Sequence, residues 1–95
     1  MLKITSGKGF HMTFENGVTV SVQFGAGNYC DNHDEDITSI IPKNTTSSNA
    51  EIAIWTKNNK WITKEYQDKG DDVLGWLTAN EVLDALNWAS KYNKV

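Results

Sequence analysis

Ninety-five residues carry 12 acidic and 9 basic side chains, a formal charge of −3, and four of the residues are tryptophan. A chain this short makes a single domain, residues 1–95, with one core, which excludes an enzyme that encloses its cleft between two domains. The mild acidity argues against indiscriminate nucleic-acid binding, which needs clustered Lys and Arg to release counterions from phosphates, and it is too slight for a DNA mimic.

The lone cysteine, Cys30, excludes an intramolecular disulfide and favours a reducing compartment. Met1 to Lys8 lacks the apolar run of a signal peptide, and no stretch approaches the roughly 18 apolar residues of a membrane span. The expected location is the cytoplasm.

In chain order, Phe10 to Phe24 alternates apolar and polar residues on both sides of Asn16-Gly17, the mark of a β-hairpin over residues 10–24. A two-residue loop would set Phe14 against Thr19 and scramble the faces. A three-residue loop, Glu15-Asn16-Gly17, pairs Phe14 with Val18, Met12 with Val20 and Phe10 with Val22. One face is then apolar and the other carries His11, Thr13, Thr19, Ser21 and Gln23.

A long loop over 25–49 follows, and a connection of that length points to function or disorder. Its Gly25-Ala26-Gly27-Asn28 start reads as a glycine-permitted bend, since a phosphate loop would need a terminal Lys and a helix N-terminus. Ile37 to Ile41 could add a short strand.

The same parity test assigns a second hairpin to residues 50–66, with Lys57-Asn58-Asn59 as its loop, Asn59 at positive φ, Ile54 opposite Ile62 and Trp55 opposite Trp61. Thr78 and Glu81 form a capping box, so a helix is expected over 79–93. Its expected stripe runs through Val82, Leu83, Leu86 and Ala89, flanked by Trp88 and Tyr92. Trp76 is expected in the core beside Leu74 and Leu77, and Trp88 half-buried against the sheet. The fold class is α+β: an antiparallel sheet of four to five strands from two hairpins, with one C-terminal amphipathic helix on one face.

Chemistry is concentrated in Cys30-Asp31-Asn32-His33-Asp34-Glu35-Asp36. Cys30 and His33 have the spacing of half a zinc site, but His11 is the only further His or Cys, so an Asp would have to complete it. The plainer reading makes Cys30 a small buried apolar residue and the acids a solvated loop, with no metal or other cofactor. A Cys30–His33 or Cys30–His11 nucleophile is disfavoured because neighbouring carboxylates oppose a thiolate. Trp55 and Trp61 are the sharper feature: a cross-strand pair on the face away from the helix fits a partner site, unless the long loop or a second subunit covers it.

Phe14-Glu15-Asn16-Gly17-Val18-Thr19-Val20-Ser21-Val22-Gln23-Phe24-Gly25-Ala26-Gly27-Asn28-Tyr29-Cys30, with Ala50 to Trp55 and Asp71 to Thr78 downstream, resembles a family of short bacteriophage and prophage proteins. The resemblance implies a genomic setting rather than a reaction. Small phage accessory proteins often inhibit host machinery by binding, anti-CRISPR and other anti-defence proteins among them. The expected function is therefore non-enzymatic binding and inhibition or modulation of a host protein in the bacterial cytoplasm, with Trp55, Trp61, Tyr29, Asp31 and Asp34 at the contact. The alternatives are a homo-oligomeric sponge for a nucleotide-like ligand and, third, a small enzyme built on Cys30.

Overall fold

The computed structural model describes residues 1–38 and 44–94. Strands β1 (Leu2–Thr5), β2 (Gly9–Thr13), β3 (Thr19–Gln23), β4 (Asn49–Trp55) and β5 (Leu74–Thr78) lie side by side in chain order as one antiparallel sheet. A four-residue helix, α1 (Thr63–Tyr66), precedes β5, and α2 (Ala79–Ser90) follows it and packs on β3, β4 and β5. This is the α+β arrangement of a sheet covered by a C-terminal helix that the hydrophobic pattern calls for.

The first hairpin folds in the register its parity requires. Phe10, Met12 and Thr13 stand opposite Val22, Val20 and Thr19, the Phe14 N–H donates to the Val18 carbonyl at 2.9 Å, and Gly17 takes a φ of 84°. A side chain there would be strained in the left-handed region.

The second hairpin is shorter than 50–66. Asn59 has a φ of 62°, Trp55 bridges Trp61, and the Ile62 N–H donates to the Ile54 carbonyl at 2.9 Å, as expected. The returning arm then stops. Thr63 Oγ1 accepts the Ile54 N–H at 2.9 Å and donates back to the Ile54 carbonyl at 3.4 Å, so a side-chain hydroxyl takes the place the Ile62 carbonyl would have in the ladder. The chain is released into α1, and β5 takes the place beside the lower half of β4. Two strands, β1 and β5, thus come from segments whose alternation is too short to mark them. Ile37 and Thr38 form a turn, and residues 39–41 of the suggested extra strand lie outside the described residues.

The core lies between α2 and the even-numbered row of the central strands, where Val18, Val20, Ile52, Ile54, Ile62, Ala85 and Ala89 are fully buried. The helical stripe is Val82, Ala85, Leu86, Ala89 and Tyr92 rather than one through Leu83, which is 55% exposed. Leu83 is two residues from Ala85 and, at about 100° per residue, points nearly the opposite way. The capping box is present: Thr78 Oγ1 accepts the Glu81 N–H at 3.3 Å, and Glu81 Oε1 accepts the Thr78 N–H at 2.9 Å.

Helix α2 ends at Ser90, not at residue 93: the Lys91 and Tyr92 N–H groups donate to the Trp88 and Ala89 carbonyls, both at 3.2 Å, in a tighter final turn, and a distant side chain binds there too. Asn16 Nδ2 donates to the Ala89 and Tyr92 carbonyls, both at 2.9 Å, while its Oδ1 accepts the Val18 N–H at 3.0 Å. One amide thereby orders the hairpin turn and caps the helix C-terminus. Asn16→Ala removes all three bonds and is expected to lower stability by about 3 kcal/mol, about 1 kcal/mol for each, and the melting temperature by about 15 °C. Asn16→Asp should do no better, since a carboxylate would face carbonyl oxygens at the negative end of the helix; thermal and urea denaturation followed by circular dichroism check both.

On the flank of α2, the Tyr66 hydroxyl donates to Asp84 and its ring packs on Trp88, which is half-buried. Burial first, and then the Asp84 carboxylate, push the Tyr66 phenol up from 10.0 to about 12. The neutral phenol favours the fold, so its contribution is complete below pH 10.0 and is lost as pH rises toward about 12. An absorbance titration of the wild type should show a late phenol ionising near pH 12 that Tyr66→Phe removes. The Tyr92 phenol, raised by burial and then by Glu65, keeps its own upward shift in that variant.

Candidate functional site

The face opposite α2 carries two aromatic clusters, one at each end of β4. At the Trp55 end, the His11 ring from β2 meets Trp55 from β4 edge-on at 5.1 Å, and Trp55 leans on Trp61 at 5.3 Å. Strands β2 and β4 flank β3, so the two rings arch over it, and Thr19 and Ser21 beneath are buried although they sit on the outer face. Burial, and secondarily the Lys3 ammonium, hold the His11 imidazole below its ordinary value. Trp61 closes the arch and remains 50% exposed.

At the Glu51 end, about 13 Å away along four strand residues, the long loop supplies the second cluster. Tyr29 stacks between His33 at 5.7 Å, with the planes 7° apart, and Trp76 at 5.6 Å, 24° apart. The Tyr29 carbonyl accepts the Trp76 N–H at 2.8 Å, and the Tyr29 N–H and Asn28 Nδ2 donate to Glu51 Oε2 at 3.3 and 3.2 Å. A Cβ on Gly75 would lie 2.7 Å from the Tyr29 Cβ, so glycine is what lets the loop close on β5.

The placement of Trp76 overturns its assignment to the core. It is 54% exposed and has a φ of 52°, a conformation costing an L-residue roughly 1–2 kcal/mol. The cause is a bulge. Ala50 pairs with Leu77 and Ile52 with Leu74, so two steps on β4 oppose three on β5, and the extra residue expels Trp76. The spacing of Leu74 and Leu77 was the signal in the sequence: two core residues three apart on a strand require an inserted residue.

The loop is built by asparagine side chains. Asn32, buried, donates from Nδ2 to the Phe24 and Thr46 carbonyls at 2.8 and 3.1 Å. Asn28 Oδ1 accepts the Gly25 N–H at 3.1 Å, closing the bend. Asp31 and Asn49 bind reciprocally: the Asp31 N–H donates to Asn49 Oδ1 at 2.8 Å and Asn49 Nδ2 to Asp31 Oδ1 at 2.9 Å. The Asn49 amide, and then Ser48, hold the Asp31 carboxyl below the ordinary carboxylate value. Asp31 is therefore a latch within the loop, whereas Asp34 is fully exposed, its Oδ1 3.2 Å from His33 Nδ1.

Cys30 is buried, and its Sγ lies 3.6 Å from the Gly25 carbonyl as a weak donor. His33 is committed to Asp34 and the Tyr29 stack, and His11 to the Trp55 arch, so the three metal or nucleophile candidates are engaged in different places. Among the described residues no three His, Cys, Asp or Glu side chains converge on a metal position, and no helix is long and apolar enough to cross a membrane. No family model, curated protein or solved structure matches the chain.

The left-handed backbone at Trp76 can be measured. Trp76→Gly removes both the strain and the stack on Tyr29, whereas Trp76→Ala removes the stack and keeps the strain. The glycine variant is expected to be more stable than the alanine variant by about 1 kcal/mol in urea denaturation, a reversal of the usual order in a strand.

Proposed function

We propose that this chain is a non-enzymatic binding protein whose sheet face opposite α2 docks a partner protein. The observation that carries the reading is Trp76, which is held exposed on a left-handed backbone and stacked on Tyr29. Strain kept at an aromatic that stays half exposed adds nothing to the core, and conformations of this kind cluster at functional positions. Trp61, half exposed at the other end of the same face, supplies a second anchor, and Trp and Tyr are the residues that most often dominate binding energy. Both anchors are pre-ordered, Trp61 by Trp55 and Trp76 by Tyr29, so little side-chain entropy is lost on docking.

The resemblance to phage accessory proteins supplies the proposed setting: the partner is a host protein in the bacterial cytoplasm, a defence component among the candidates, and binding inhibits or modulates it. The acidic loop contributes through Tyr29 and the exposed Asp34 rather than through Asp31, whose carboxylate is used internally.

The test is affinity capture from host lysate with the wild-type chain and with Trp61→Ala, Trp76→Ala and the helix-face control Leu83→Ala. The expected result is a specific partner retained by wild type and Leu83→Ala and weakened about 30-fold or more by either Trp variant, as for residues contributing 2 kcal/mol. Equal recovery by folded Trp variants would overturn the proposal.

A further inference from the structure

The two edges of the sheet are finished differently. On β5 the bulge, the left-handed Trp76 and the bond from the Trp76 N–H to Tyr29 disrupt the edge. On β1 the ladder is regular to the end. Met1 and Thr13 exchange both bonds, the Met1 ammonium donating to the Thr13 carbonyl at 2.7 Å and the Thr13 N–H to the Met1 carbonyl at 2.8 Å. By the alternation of an antiparallel pair, Lys3 and Thr5 then also turn their backbone groups toward β2, while Leu2 and Ile4 turn theirs outward. Such a row is a template for another strand.

The side chains specify what that strand would carry. Leu2 and Ile4 are 70% and 82% exposed on the α2 side of the sheet, where they line an apolar groove with Phe10 and Met12. Helix α2 packs on β3, β4 and β5, leaving this part of the face beyond its main contacts. Lys3 projects from the opposite face beside His11. An added antiparallel strand would bond to Leu2 and Ile4 and set the residue between those two bonded positions directly across from Lys3, in the closer, non-bonded pairing.

We propose that β1 is a strand-addition site for an extended segment of a partner protein in which an acidic residue stands between two apolar ones. The acid faces Lys3, and the two apolar residues lie beside Leu2 and Ile4 and extend the core face. A second copy of this chain is a poor occupant. The symmetric antiparallel register that uses the outward groups of both Leu2 and Ile4 sets two Lys3 side chains opposite each other, and a register centred on Ile4 places Ser6, at a φ of 50°, across from Leu2.

The experiment titrates the whole chain with short fluorescent peptides alternating valine with glutamate or valine with lysine, and follows backbone amide exchange at Leu2 and Ile4. The glutamate peptide is expected to bind about fivefold or more tightly than the lysine peptide and to protect both amides. Ile4→Pro removes an outward N–H without touching the β2 ladder, so it should abolish binding while the melting temperature stays near wild type. Lys3→Glu should reverse the peptide preference, and it serves where the proline variant does not fold. Equal binding of the two peptides, or unchanged binding by folded Ile4→Pro, would sink the proposal, as would a dimer in sedimentation that Ile4→Pro dissociates. Trp61 and Trp76 are intact throughout, so failure here leaves the aromatic-face reading standing.

Discussion

The structure depends on how closely α2 sits on β3 and β4. Ala85 and Ala89 at the contact let the helix backbone approach the sheet until Val18, Val20, Ile52 and Ile54 lose all exposure. Burying side chains of this size contributes roughly 1.5–3 kcal/mol each before entropy is subtracted, so this seam is the main source of stability in a chain with so small a core. Asn16 ties one end of the seat by joining the first hairpin turn to the Ala89 carbonyl of the last helical turn and to the Tyr92 carbonyl just beyond it, and the Thr78–Glu81 capping box fixes the other.

Seating α2 there gives the two faces of the sheet separate duties. With the even-numbered row committed to the core, the odd-numbered row is free for another use, and it holds the His11–Trp55–Trp61 arch and Glu51. Glu51 receives the start of the long loop, and the loop brings Tyr29 and His33 to Trp76. Asparagine suits that loop because one amide can both donate and accept, so Asn28, Asn32 and Asn49 satisfy backbone groups that no ladder reaches. The protein thus joins a hydrogen-bonded sheet to a loop whose described residues are held by polar side chains.

Strong local signals were legible in the sequence. Asn16-Gly17 with its flanking alternation defined a register in full, and Thr78 with Glu81 defined a helix start, because turn chemistry and capping are decided within a few residues. The tight turn at Asn59 and the Trp55–Trp61 contact were readable for the same reason. Other elements were not. Thr63 ends the second hairpin through its hydroxyl, a competition between side chain and strand that periodicity does not register. The helix C-terminus is capped by Asn16, more than seventy positions away in the chain.

Sequence reasoning set Trp55 against Trp61, a contact the structure contains, and misplaced Trp76 in the core. Composition and alternation by themselves determined the class of fold, the first register, the helix start and the surplus of tryptophan, since each is a local preference or a sum over the chain. Tertiary structure alone decided which tryptophans face solvent. A two-versus-three mismatch between β4 and β5 turned Trp76 outward, and Gly75 let Tyr29 close beside it. Exposure depends on how neighbouring strands pair, and that pairing is a property of two distant segments together.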